Sequence, residues 1–255
     1  MDFTMQSQVK KQNQSGFTLV ELAIVMVIVG LLITGVLKGQ ELVNNARVNS
    51  TVNQCKSLDA AIATFKDIYR ALPGDMSDAT TRIPNCSNGC DDGDGNSRID
   101  GAGAGAAEVI TVPTATDETI FAFGALNAAD LISGVDGTVT AQFGKGLIES
   151  SIGGGFWIGY DSDGAETGFA AHRTGHYLAI NGETTTIAAG TGGLSPSQGA
   201  RIDRKLDDGL PNAGLVRGVF GAAGTTGCAD GNTATDNYQE NIEVARCAVI
   251  IRLQN

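Results

Sequence analysis

A single carboxylate, that of Glu21, lies inside an otherwise apolar run that covers residues 17–37. This run is long enough to cross a bilayer as a helix, because roughly 20 residues at 1.5 Å each span the hydrocarbon core. A lone acid in hydrocarbon costs a few kcal/mol unless a cation neutralises it. Glu21 therefore predicts a positively charged partner at the level of the membrane.

The segment before this run is polar, and its only cations are Lys10 and Lys11. Positive residues tend to stay in the cytoplasm, which predicts that the helix inserts with its start inside and its C-terminal end outside. A secretory signal would place small residues of the A-x-A type after the run, but Lys38-Gly39-Gln40-Glu41 follows it. The small residue that suits cleavage, Gly16, lies before the run. Cleavage there would leave the apolar helix on the mature protein.

The segment Gly16-Phe17-Thr18-Leu19-Val20-Glu21 resembles the prepilin motif of type IV pilins and type II secretion pseudopilins. The resemblance covers residues 10–40. It implies cleavage between Gly16 and Phe17 by the membrane-embedded prepilin peptidase, followed by N-methylation of Phe17. It also implies that Glu21 pairs with the N-terminal amine of a neighbouring subunit. Glu21 follows Phe17 by about 6 Å along a helix, and a low dielectric strengthens such a charge pair.

The resemblance divides the chain into a leader peptide (1–16), a long N-terminal helix (17–72, transmembrane over 17–37) and a globular pilin head (73–255). It implies a structural subunit rather than an enzyme. The precursor would wait as a single-pass protein of the bacterial inner membrane, where the pilus assembly machinery would polymerise it with itself or with other pilins. The product would be an extracellular pilus or a periplasmic pseudopilus. Three roles stay open: pilus subunit, pseudopilin of a type II secretion system, and minor tip pilin acting as an adhesin.

Oxygen-bearing side chains alternate along residues 91–100, which read Asp91-Asp92-Gly93-Asp94-Gly95-Asn96-Ser97-Arg98-Ile99-Asp100. This pattern matches the first half of a calcium loop. The twelfth position holds Gly103 where a bidentate glutamate belongs, and Glu108 could replace it only if the Gly/Ala tract 101–105 loops back. The predicted ligands of a structural calcium ion are Asp92, Asp94, Asn96, the Arg98 carbonyl, Asp100 and Glu108. The alternative is a solvated acidic turn.

Five cysteines suit an oxidising compartment. Cys86 and Cys90 are close enough in a turn-rich segment to close a small loop. Cys228 and Cys247 bracket a loop near the C-terminus, and the resemblance favours a disulfide between them, since many pilins carry a C-terminal disulfide loop. Cys55 is then left over, and we expect it to pack as a small apolar residue on a helix face. Other pairings remain open, because spacing alone does not select among five cysteines.

The secondary structure that would carry these residues is predicted from apolar periodicity. Apolar residues spaced three and four apart predict that the N-terminal helix continues to about Arg70, where Leu72-Pro73-Gly74-Asp75 stops it. Further helices are expected at 119–132 and 196–206, the latter with a capping box at Ser195. Short β-branched or aromatic runs bounded by glycine predict strands at 155–160, 176–180, 215–220 and 245–252.

These elements predict an α+β fold, a long helix packed on a small antiparallel sheet, and the pilin resemblance implies the same layout. The net charge of −11 argues against nucleic-acid binding, which needs clustered cations. His172 and His176 have a zinc-like spacing, but Gly175 argues against a helix that would bring them together. No sequence pattern predicts a catalytic residue.

Overall fold

The computed structural model describes residues 16–87, 89–100, 113, 115–162, 164, 171–182, 192–219 and 227–254. The chain divides into two compact units, 1–44 and 45–255. One helix of 51 residues, α1 (Leu19–Tyr69), contributes to both units.

The first unit contains the N-terminal part of α1, whose large apolar side chains are exposed. The exposed fraction is 90% at Phe17 and is still 45% at Val29. An 18-residue window of α1 has a mean hydropathy of 2.7, so this helix is long and apolar enough to cross a membrane. The transmembrane segment predicted at 17–37 lies in this part of the chain.

Among the described residues, the second unit combines three further helices with a four-stranded sheet. The helices are α2 (Ala79–Arg82), α3 (Glu118–Ala128) and α4 (Pro196–Leu206). The strands are β1 (Gly155–Asp161), β2 (Gly175–Asn181), β3 (Val216–Gly218) and β4 (Val249–Arg252). The strand order is β1-β2-β4-β3, and every neighbouring pair is antiparallel. The predicted α+β class is confirmed.

Three elements are shorter than predicted: helix α3, strand β4, and strand β3, which covers Val216–Gly218 instead of 215–220. Helix α3 stops at Ala128, where the N–H of Asp130 donates to Asn127 and that of Leu131 donates to Leu126, both at 3.0 Å. These bonds, with Asp130 at a φ of 55°, form a Schellman stop. Strand β4 begins only at Val249, because Cys247 pairs instead with Leu194, just before α4.

The second half of α1 buries one face against the sheet. The apolar face predicted from the three- and four-residue spacing is confirmed at six residues, which are buried, while its last residue, Tyr69, is half-buried; the six are Val48, Val52, Cys55, Leu58, Ile62 and Phe65. Cys55 shares a cavity with Leu178 of β2 and Ile251 of β4. Leu178 and Ile251 are register partners across the two strands, so they lie on the same side of the sheet. This side is the one that α1 covers.

Candidate functional site

The N-terminal motif is arranged around the first turn of α1. Gly16 and Phe17 precede the helix, and Phe17 is almost fully exposed. The backbone N–H and the hydroxyl of Thr18 both donate to Glu21 Oε2 at 2.9 Å, and the Glu21 N–H donates to Thr18 Oγ1 at 3.2 Å. This is a reciprocal capping box. The Thr-x-x-Glu spacing could have predicted it, but our sequence analysis missed it.

The capping box leaves half of the Glu21 carboxylate available. Both bonds from Thr18 reach Oε2, and no hydrogen bond to Oε1 occurs within the described residues. A carboxylate offers about four acceptor positions on its two oxygens. Glu21 can therefore accept a further donor while it keeps its position at the helix start. The carboxylate also lies where the positive end of the helix dipole stabilises an anion.

A second candidate site is a cluster of three carboxylates in the head. One oxygen each of Asp75, Asp94 and Glu118 lies within 4.8 Å of the other two. Asp75 and Glu118 are 4% and 5% exposed, whereas Asp94 is exposed. They come from the turn after α1, from the predicted calcium loop and from the first turn of α3.

Backbone N–H groups of the loop hold the two buried carboxylates in place. Glu118 Oε1 accepts from Asp94 at 2.9 Å, and Oε2 accepts from Asp100 at 3.0 Å. The carboxylate of Asp75 accepts the N–H of Ser97 at 3.1 Å. The loop 94–100 is thus wrapped around two acids that lie outside it in sequence.

Glycine permits this close wrapping. A Cβ at Gly93 would lie 2.2 Å from the carbonyl oxygen of Gly74, and a Cβ at Gly74 would lie 2.3 Å from that of Glu118. Gly74 also has a φ of 87°, which disfavours other residues. The Leu-Pro-Gly-Asp turn therefore does more than stop α1, because it places Asp75 beside Glu118.

Burial and mutual repulsion perturb the acids of this cluster. Burial, helped by the negative charge of Asp94, raises the pKa of Glu118 to about 7 and that of Asp75 to about 6. Burial also raises the pKa of Asp100. No ion pair within the described ranges involves Asp75, Asp94 or Glu118. The arrangement favours a bound proton or a cation.

The predicted calcium ligands separate into different environments. Asp94 lies in the cluster, and the amide of Asn96 donates to Asp94 at 2.8 Å and to Asp100 at 3.3 Å. Asp92 instead accepts from the Thr80 N–H at 2.8 Å, at the start of α2. The guanidinium of Arg98 lies over the ring of Tyr160 at 4.8 Å. Glu108 lies outside the described residues.

Two cluster residues, Asp75 and Glu118, were absent from the predicted set. Glu118 is 24 residues from Asp94, so no short spacing could have revealed it.

Ile99 attaches the loop to the sheet edge: its N–H donates to His176 Nε2 at 3.1 Å and its carbonyl accepts from Tyr160 at 2.9 Å. Burial lowers the pKa of His176 to about 4, in keeping with its role as a neutral acceptor.

The cysteines form two disulfides in the structure, Cys86–Cys90 and Cys228–Cys247. The first immediately precedes the acidic loop. Cys55 is the free cysteine, and it is buried on the sheet-facing side of α1. Burial raises the pKa of its thiol to about 12, so that it stays protonated and packs as an apolar group.

Comparison with known proteins identifies only the N-terminus. Residues 11–37 match the model of the prokaryotic N-terminal methylation motif, the signature of type IV prepilin-like proteins. The resemblance noted at Gly16–Glu21 is thereby confirmed. No curated protein and no solved structure matches the chain significantly. The motif indicates a structural subunit rather than an enzyme, and together with α1 it is consistent with a precursor anchored in the inner membrane.

Proposed function

We propose that this chain is a structural subunit of a type IV pilus or a related filament, polymerised through α1 after prepilin peptidase removes residues 1–16. The observation that carries the proposal is the methylation motif at residues 11–37, which continues into an apolar helix with exposed side chains. A helix that is apolar all round needs lipid or other helices around it. The membrane supplies lipid before assembly, and neighbouring subunits replace the lipid in the fibre.

The free half of the Glu21 carboxylate supports an assembly role. Cleavage after Gly16 creates a cationic amine on Phe17. In a low dielectric, the amine of one subunit and Glu21 of the next neutralise each other, which offsets the cost of burying either charge alone. Thr18 occupies Glu21 Oε2 and leaves Oε1 for the incoming amine. Such head-to-tail contacts need not close into a ring, and they then generate a filament.

The decisive experiment expresses Glu21→Ala in cells that lack the wild-type chain. The variant should insert into the membrane at least as well, since a charge is removed from hydrocarbon, but fibres should be lost. Glu41→Ala is the control, because Glu41 is a second acid of α1 and forms an exposed pair with Lys38. Normal fibres from Glu21→Ala would contradict the proposal.

The narrower role within this machinery is also open to measurement. We favour a pilus subunit, and a type II secretion pseudopilin or a minor tip adhesin are the alternatives. A pilus subunit should dominate the mass of sheared extracellular fibres, whereas a tip adhesin should be present in trace amounts. A pseudopilin should be missing from the fibres, and its deletion should block protein secretion.

We also propose that the head binds a structural calcium ion at Asp75, Asp94 and Glu118. Oxygens that each lie about 2.4 Å from one ion are at most about 4.8 Å apart, and the three oxygens of this cluster all lie within 4.8 Å of one another. Calcium would neutralise two buried carboxylates that no cation of the described residues pairs with. It would thereby fasten the loop 94–100 between the end of α1 and the start of α3.

A further inference from the structure

A cavity of about 290 Å³ opens on the side of the sheet that faces away from α1. Tyr177 is the register partner of Arg252, and Arg217 is the register partner of Ile250, two residues before Arg252. Alternation along the strands therefore places Tyr177, Arg217 and Arg252 on one side of the sheet. Leu178 and Ile251, which line the cavity beside α1, occupy the other side.

Positively charged side chains line this cavity, although the protein as a whole is acidic. Its lining includes three arginines from three segments: Arg173 before β2, Arg217 on β3 and Arg252 on β4. None of the three forms an ion pair within the described ranges. The chain as a whole carries a net charge of −11. Acidic residues outnumber basic ones, so three arginines without a carboxylate partner in the described part of the chain are not what the composition predicts.

Two of these guanidinium groups have buried donors without acceptors. The Nε atoms of Arg217 and Arg252 are buried, and neither makes a hydrogen bond within the part of the chain that the structure describes. Their other donors reach backbone carbonyls, Arg217 Nη1 that of Asn212 and Arg252 Nη2 that of Thr174, the latter at 3.4 Å. A buried charged donor without a partner costs free energy, because it has lost water and gained nothing. The geometry lacks an acceptor in this cavity.

The negative groups near the cavity do not cancel this charge. Asp161 is buried, and its carboxylate contacts Nε2 of His172. The carboxylate of Asp207 accepts the N–H groups of Leu215 and Val216. Burial raises the pKa of Tyr177 to about 12; the charges of Arg173, Arg217 and Arg252 oppose that rise, whereas the charge of Asp161 adds to it.

We propose that this cavity binds a phosphate ester, with its oxyanion held by Arg173, Arg217 and Arg252. Guanidinium forks match the oxygens of a phosphate group, and the charge of about −1.5 to −2 on a phosphate monoester fits three cations better than the single charge of a carboxylate or a sulfate ester. The cavity has room beyond the oxyanion, since phosphate is no larger than a few water molecules of about 30 Å³ each. The remaining space suits the small polar molecule that carries the ester, such as a sugar.

The test uses the full-length chain in detergent, with its melting temperature and calorimetric binding as readouts. Sodium phosphate, sodium sulfate and a hexose 6-phosphate are compared with sodium chloride at constant ionic strength. We expect phosphate and sulfate to raise the melting temperature above that in chloride, and the hexose 6-phosphate to bind more tightly than phosphate. Equal affinity for phosphate and the hexose 6-phosphate would contradict ester binding and indicate that the cavity binds the free ion. If neither anion has an effect beyond that of chloride, the cavity is not an anion site.

Variants locate the binding. Arg173→Gln is the first choice, because Arg173 is exposed and its replacement should disturb folding least. Arg217→Gln removes a buried donor. If Arg217→Gln does not fold, Arg217→Lys is used in its place. Each should weaken binding roughly tenfold or more, which is typical of a lost charge-assisted hydrogen bond. Arg47→Gln, at an exposed position of α1, is the charge-matched control and should bind normally. Unchanged binding in the cavity variants would place the ion elsewhere.

Discussion

Thr18 and Glu21 bind each other reciprocally at the first turn of α1, with both Thr18 donors 2.9 Å from the same Glu21 oxygen. The residue that we propose to contact another subunit is therefore positioned by its own chain. A helix cap of this type stabilises by about 1 kcal/mol. It also fixes the rotamer of Glu21 before a neighbour arrives, which lowers the entropy lost on assembly.

Processing is the first prediction. Replacing Gly16 with a bulky residue should leave uncut precursor in the membrane, because the bond after this residue is the one we expect the peptidase to cut. Mass spectrometry of the mature wild-type chain should show an N-terminus at methylated Phe17. A mature chain that begins after residue 37, or one that retains Met1, would contradict the prediction.

Thr18→Val should separate the cap from the assembly contact. The variant removes the hydroxyl bond to Glu21 but retains the carboxylate, so fibres should still form, in smaller amounts than from the wild type. Quantitative electron microscopy of sheared fibres provides the measurement, with Glu21→Ala as the comparison that should abolish them. Loss of fibres in Thr18→Val to the same extent would show that the cap, and not the pairing with an amine, is essential.

Calcium should raise the melting temperature of the full-length chain in detergent relative to chelator. At a hundredfold excess over Kd, binding to the native state alone stabilises by about 2.7 kcal/mol. Asp94→Ala should abolish the difference. Asp92→Ala should retain it, because Asp92 binds Thr80 at the start of α2. If millimolar calcium does not shift the melting temperature, the cluster is an acidic turn that binds no ion. If only Asp92→Ala abolishes the shift, the ligands are those predicted from sequence.

Without calcium, stability should fall as the pH rises from about 4.5 to 7. Glu118 and Asp75 have a higher pKa when folded, about 7 and 6, than when unfolded, where 4.5 and 3.8 apply. The native state therefore holds more protons across this range, and each deprotonation costs stability, by up to a few kcal/mol in total. Thermal melts in chelator from pH 5 to 8 should show this fall.

Glu118→Gln should lessen that pH dependence, since the amide does not titrate, but should not remove it, because burial also raises the pKa of Asp75 to about 6 and that of Asp203 to about 7. Asp130→Asn, a change at an exposed acid with a φ that asparagine tolerates, should leave it unchanged. Saturating calcium should also lessen it, because the ion replaces the proton as the neutralising charge. A stability that rises with pH through this range would contradict the cluster's electrostatics.

Gly93→Ala should destabilise the head by roughly 1 to 3 kcal/mol and weaken the calcium response. The added Cβ would lie 2.2 Å from the carbonyl oxygen of Gly74 and 2.6 Å from Cα of Asp75, so backbone must move. Gly39→Ala is the control: Gly39 is helical and has nothing within 4 Å of its Cβ position, so the change should be neutral or favourable. If Gly93→Ala melts at the same temperature as the wild type, the loop does not pack closely against Gly74 and Asp75.

Local patterns were sufficient for the parts of this protein that depend on neighbours in sequence. The motif at Gly16–Glu21 and the apolar run after it could be read directly, because their chemistry resides in contiguous residues. The capping box of α4 is present as predicted, with Ser195 and Gln198 bonded in both directions. The buried face of α1 followed from its 3.6-residue period, since one side of a helix must meet the core.

The tertiary structure alone decided which acids meet and where the sheet places its arginines. The spacing along the loop predicts Asp94 as a calcium ligand. The two acids that lie beside it, Asp75 and Glu118, come from the turn after α1 and from the start of α3. Likewise, Arg173, Arg217 and Arg252 converge only because β4 inserts between β2 and β3. Spacing along the chain reports contacts within a turn or a helix, whereas these contacts join distant segments, and their formation depends on the packing of the whole head.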